Sequence, residues 1–118
     1  MADLRTATVF EVDGEKYERR PTFAKVSELE RAFGVALPEI ANRIKSGRFA
    51  MHETVSAIHL IIGAPKDGGV PIKAVEDAVF ANYFPMMAQL YDFCMNAIVD
   101  TGAPKNPLSV EGKGKTPD

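Results

Sequence analysis

The chain has 118 residues, 46% apolar and 25% charged, a balance that suits one soluble globular domain with a modest core. A net charge of −2 and a pI near 5.7 exclude a global basic field of the kind that gathers nucleic acid or anionic membrane. The single cysteine, Cys94, excludes an internal disulfide and a cysteine-based metal cluster, and Leu60-Ile61-Ile62 falls far short of a membrane span.

The opening Met1-Ala2-Asp3-Leu4-Arg5 lacks the apolar run of a signal peptide, so a cytoplasmic chain is expected. Residues 7–20 read as a β-hairpin. Thr8, Val9, Phe10 and Val12 favour strands, and Asp13-Gly14 is the dipeptide a type I′ turn prefers. Such a turn pairs Val12 with Glu15, Phe10 with Tyr17 and Thr8 with Arg19, which places Phe10 beside Tyr17 on one face. Pro21 ends the second strand, and Thr22 can cap a helix. Phe23, Val26, Leu29 and Phe33 then follow helical spacing, and Gly34 supplies a left-handed stop.

A second helix begins near Leu37 with Pro38 in its first turn, and its core face is Leu37, Ile40, Ala41 and Ile44. A third runs from Met51 to Ile62, burying Met51, Val55, Ile58 and Ile62. Residues 64–70, with Pro65, Gly68 and Gly69, are expected to form a flexible loop. Pro71 opens a fourth helix that carries Ile72, Val75, Val79 and Phe80 and stops at Asn82. Pro85 opens a fifth that reaches about Asp100, where Gly102, Pro104 and Pro107 prevent continuation. The expected fold is mainly α, an N-terminal hairpin followed by a bundle of about five helices. Residues 6–101 make one domain, 1–5 a flexible start and 102–118 a disordered tail rich in Gly, Pro and Lys.

The fifth helix is the least ordinary element. Gln89, Asp92, Asn96 and Asp100 fall on one narrow polar stripe, and the rest of its circumference is apolar. A helix of that kind is buried in a core or against a partner. Read as a central helix, its apolar faces meet the other four. Read as a docking helix, Phe84, Met87, Tyr91 and Met95 form a partner-binding stripe, for which methionine's flexible, polarisable side chain is well suited.

No catalytic constellation, cofactor site or metal site emerges. His52-Glu53 opens like a zinc-protease motif, but Ser56 stands where the second histidine belongs. His59 is seven residues from His52, roughly 10 Å along a helix axis, too far to share a metal directly. Gly63 and Gly68 have phosphate-loop spacing, but Gly69 replaces the lysine. Cys94 lies between Phe93 and Met95 and reads as a small hydrophobe. Glu28, Glu30, Glu39, Glu53, Glu76 and Asp77 read as a solvated face. The expectation is a protein without enzymatic activity.

Arg43, Lys45 and Arg48 form a short basic cluster at the end of the second helix, which raises a helix-turn-helix regulator as a rival class. The following helix opens Met51-His52-Glu53-Thr54, with no Arg, Lys, Asn or Gln to read base edges, and this weighs against nucleic acid as a partner.

The hairpin turning at Val12-Asp13-Gly14 leads into Arg20-Pro21-Thr22-Phe23, then Leu29-Glu30, Gly34 and Ser46-Gly47, and the chain passes through a Gly/Pro-rich stretch from Gly102 to Pro107. In these features, from about Val9 to Pro107, the sequence resembles the small tail proteins of gene transfer agents and related phages. Members are usually described as tail assembly chaperones and sometimes labelled tail tube proteins. Phe80, Tyr83, Phe84, Met86 and Met87 stand where smaller residues are typical of that family.

The resemblance implies a tail assembly chaperone that binds the tape-measure protein and tail tube subunits in the cytoplasm of a bacterial host, with self-association open. The alternatives are a structural tail tube or tail completion subunit and, from a different class, a small helical DNA-binding regulator. Neither a membrane nor a cofactor is expected in any of them.

Overall fold

The computed structural model describes residues 6–99. The expected flexible start (1–5), the expected tail (102–118) and the expected helix end at Asp100 lie outside the described residues. Two strands, β1 (Thr8–Val12) and β2 (Glu15–Arg19), are followed by helices α1 (Phe23–Phe33), α2 (Leu37–Lys45), α3 (Met51–Ile62), α4 (Ile72–Ala81) and α5 (Tyr83–Ile98). This is the hairpin-plus-five-helix fold that the residue pattern predicts.

The hairpin register pairs Thr8 with Arg19, Phe10 with Tyr17 and Val12 with Glu15. Asp13 at φ 59° and Gly14 at φ 81° both take the positive values a type I′ turn demands. Thr8, Phe10 and Val12 point inward and are buried, while Val9 and Glu11 face out. Although Tyr17 lies opposite Phe10, the Phe10 ring also packs on Phe93 of α5, with centroids 6.1 Å apart and planes tilted by 49°. Tyr17 carries the Arg19 guanidinium 5.7 Å above its ring.

Helix boundaries follow local chemistry. The Thr22 hydroxyl accepts the Lys25 N–H at 3.2 Å, and Gly34 at φ 72° closes α1 by donating to the Glu30 carbonyl at 2.8 Å. Ala36 and Ala50, which precede α2 and α3, offer no side-chain oxygen, so carboxylates compensate. Glu30 accepts the Leu37 N–H from across the α1–α2 turn at 2.8 Å, and Glu53 reaches back to the Ala50 N–H at 2.8 Å. The predicted core face of α2, Leu37, Ile40, Ala41 and Ile44, is buried.

Three local expectations change. Helix α5 begins at Tyr83, two residues before Pro85, because a proline in the first turn needs no intrahelical donor. The connection expected to be flexible is closed by its own hydrogen bonds. Val70 N–H donates to the Gly63 carbonyl at 2.9 Å, and Gly69 N–H to that of Ala64 at 2.9 Å. A Cβ on Gly69 would stand 1.9 Å from the Gly63 oxygen, so this close approach requires glycine. Met51, expected in the core, is partly exposed. Phe49, in the connection before α3, is buried against Phe33 at 5.3 Å, and its carbonyl accepts the Tyr83 hydroxyl at 3.1 Å.

Helix α5 packs against α2, α3, α4 and β1, with Met86, Met87, Leu90, Phe93 and Cys94 buried. Its polar stripe is the seam to the hairpin. Thr8 Oγ1 donates to Asp92 Oδ2 at 2.8 Å, and Asn96 Nδ2 donates to Thr8 Oγ1 at 3.0 Å and to Asp92 Oδ2 at 3.2 Å. Gln89 Oε1 accepts the Glu11 N–H at 3.1 Å, on the edge of β1 away from β2.

Candidate protein-docking surface

The four residues of the sequence-predicted stripe do not share one environment. Phe84, in the first turn of α5, is 77% exposed. Met87 is 9% exposed and belongs to the core, and Tyr91 and Met95 are half-buried against it. Neighbouring elements cover α5 beyond its first turn, so Phe84 projects and the stripe behind it sinks into packing. The ring of Phe84 meets Tyr83 at 5.5 Å, and Tyr83 is anchored through its hydroxyl to Phe49.

The structure assembles a different apolar surface nearby. Phe80, in the last turn of α4, is 79% exposed and stands four residues before Phe84, across the non-helical Asn82 (φ −137°, ψ 57°). Ile72, Glu76 and Phe80 succeed one another at i, i+4 and i+8 and so share one face of α4, while Val75 and Val79 occupy the buried face. That outer face and the first turns of α3 enclose a groove of about 630 Å³. Its apolar lining is Met51, Val55, Ile72 and Phe80, and its polar lining is His52, Ser56, Glu76 and Asp77. Lys73 pairs with Asp77 at 3.0 Å. The hydrogen bond and charge of Asp77 hold the Lys73 ammonium above its ordinary pKa.

The periodicity of α4 carries a signal for this groove. The apolar residues of α4 occupy two faces, and a ten-residue surface helix packs one of them on its core.

The other candidates occupy structural positions. His52 is exposed, and His59 Nε2 lies 2.9 Å from the Val70 carbonyl, where the ring braces the 64–70 connection. Arg19 braces the same connection, donating to the carbonyls of Ile62 and Gly68, each at 3.1 Å. Among the described residues no group of three or more His, Cys, Asp or Glu could hold a metal. Cys94 is fully buried, and burial pushes its thiol up to about 12, so the folded chain holds it as a neutral thiol at ordinary pH. In the basic cluster, Arg43 pairs with Glu39 at 3.2 Å and Arg48 approaches the same carboxylate at 4.0 Å. Glu30, Glu39 and Glu53, read from the sequence as a solvated face, thus have local partners. The Glu39–Arg43 and Glu53–Ala50 pairings follow helical spacing, whereas Glu30 reaches Leu37 only because of how the chain turns between α1 and α2.

A second cavity of about 540 Å³ lies between the hairpin turn and the α4–α5 corner, where Asp13 and Gly14 face Ala78, Asn82 and Gln89. Among the described residues, no helix is long and apolar enough to cross a membrane.

The profile of a protein family described as "Phage tail tube protein, GTA-gp10" matches residues 5–92, a span that includes the hairpin, the first four helices and the groove between α3 and α4. No curated protein and no solved structure matches the chain.

Proposed function

The chain belongs to the phage tail tube protein, GTA-gp10 family of phage-like tail proteins, and on that premise we propose that it serves as a non-enzymatic component of the tail tube, acting through contacts with other tail proteins. The observation that carries this reading is the family match, which spans the hairpin, the first four helices and the start of α5 and names a tube protein. Support for a contact role comes from the surface. Phe80 and Phe84 stand in solvent at the α4–α5 corner, and exposed aromatic clusters mark interaction sites more often than they serve a fold. The buried neutral Cys94 thiol and the structurally engaged His59 support a role without catalysis.

A second reading is the tail assembly chaperone, which binds the tape-measure protein in the host cytoplasm and leaves before the tail is complete. Two structural observations favour it. The described sheet is a hairpin of two five-residue strands, whereas proteins that close rings through sheets need longer edges. The α3–α4 groove also suits an amphipathic helix, the mode by which a long helical protein would be held in solution.

Quantitative mass spectrometry of purified, finished particles separates the two. Many copies for each tape-measure chain are expected of a tube component. Absence from particles, together with co-purification with the tape-measure protein from assembling cells, would transfer the role to the chaperone.

A further inference from the structure

We propose that two copies of the chain join edge to edge through β2, antiparallel about a two-fold axis at Tyr17, so that their hairpins form one continuous sheet. The inference goes beyond the tail role and stands on the hairpin alone.

The two edges of the hairpin differ. With a two-residue turn, the hydrogen-bonded pairs fall at Val12–Glu15, Phe10–Tyr17 and Thr8–Arg19. The peptide groups of Glu11 therefore point away from β2, and those of Lys16 and Glu18 point away from β1. On the β1 side, Gln89 of α5 takes the Glu11 N–H at 3.1 Å. On the β2 side, Lys16 and Glu18 are exposed. Among the described residues, the one hydrogen bond at this edge is accepted by the Glu18 carbonyl from Arg19 Nη1, at 2.9 Å. The second lone pair of that carbonyl, the Lys16 carbonyl and both N–H groups are left for another strand.

Charge names that strand. β2 reads Glu15-Lys16-Tyr17-Glu18-Arg19, a run in which every charge meets its opposite when it is laid antiparallel on itself. With Tyr17 opposite Tyr17, Lys16 faces Glu18 of the partner subunit and Glu15 faces Arg19 of the partner subunit, and the two-fold repeats both pairs. Among the described residues, neither Lys16 nor Glu18 has an ion pair of its own. Their peptide groups are the ones that point outward, so the register that matches charge is also one the backbone can bond. A slip of two residues sets Glu18 against Glu18 or Lys16 against Lys16, and a parallel pairing in register does both. Charged residues on an edge ordinarily keep strands apart. Here they repel the slipped registers and admit this one.

The contact joins the same patch on both copies, so it closes at two and does not propagate.

The experiment is sedimentation of the full chain over a concentration series at low ionic strength, where exposed ion pairs are least screened. It compares the wild-type chain with Lys16→Glu, with Glu18→Lys and with the chain carrying both substitutions. Both positions are exposed, and unchanged thermal melts check that each variant folds. The wild-type chain should reach a dimer and stop. Each single variant sets like charges across the seam and should associate at least about tenfold more weakly. An equimolar mixture of the two single variants should recover the dimer, and so should the doubly substituted chain alone, because each restores opposite charges at positions 16 and 18. In the wild-type dimer, the Lys16 and Glu18 amides should exchange hydrogen more slowly than in the dilute monomer.

A wild-type chain that stays monomeric or grows past a dimer, single variants that associate like it, or a mixture that stays apart would overturn the edge pairing. The tube-component reading falls separately, through absence of the chain from finished tails.

Discussion

At the residue scale, two side chains show how burial alone decides chemistry. Cys94 has no exposed surface, and its thiol is held up to about 12 against an ordinary value of 9.0. Its folded pKa thus lies above its unfolded one. The stabilisation is complete below the ordinary thiol value and is lost as pH rises from there toward the folded value. Stability should fall by at most about 1.4 kcal/mol per pH unit over that window. Denaturant midpoints across alkaline pH check this, and Cys94→Ala should flatten the part of the slope that belongs to the thiol.

Met87 makes the complementary case. At 9% exposure it cannot accept charge without burying it, so Met87→Lys should cost at least about 2 kcal/mol, measured by chemical denaturation. Phe84→Lys, three residues earlier and in solvent, should leave the midpoint nearly unchanged. Equal losses from the two substitutions would contradict the environments described for them.

At the element scale, the instructive unit is the seam between β1 and α5. Seen in the sequence, Gln89, Asp92 and Asn96 are a stripe on a helix that is otherwise apolar. Folded, each is spent on the hairpin: Gln89 on the Glu11 amide, Asp92 and Asn96 on the buried Thr8 hydroxyl. Thr8→Val removes the donor to Asp92 and an acceptor from Asn96, and should destabilise by about 1–3 kcal/mol. Asp92→Ala should cost less in the Thr8→Val background than alone, since both substitutions break one cluster, and a double-mutant cycle reads that coupling.

The same scale explains α4. Its apolar residues were legible in the sequence, but its two faces differ in fate. Val75 and Val79 meet the core, while Ile72 and Phe80 line the groove, a division set by where α3 and α5 lie.

At the scale of the whole molecule, surface aromatics separate folding from assembly. Phe80 and Phe84 together replaced by glutamine should shift stability by no more than about 1 kcal/mol, because neither is buried. The same variant should fail to support particle formation when it replaces the wild-type chain, scored by intact tails in electron micrographs. Normal tails from a folded double variant would remove the corner from the assembly surface. Between the two roles proposed, the mainly helical build and the short hairpin pull toward a chaperone, and the family match pulls toward the tube.

The sequence by itself determined what is written in local chemistry. Asp13-Gly14 dictated the hairpin and its register, because only residues tolerant of positive φ make that turn. Thr22 and Gly34 marked helix ends through capping, and the periodic apolar residues of α2 named its core face. Tertiary structure decided everything that depends on which face meets which neighbour: that Met87 is covered and Phe84 is not, that Phe49 leaves its connection for the core, and that Phe80 joins Met51 in a groove. The physical reason is that a helical repeat fixes the angle between side chains on one helix, while burial depends on the position of other helices.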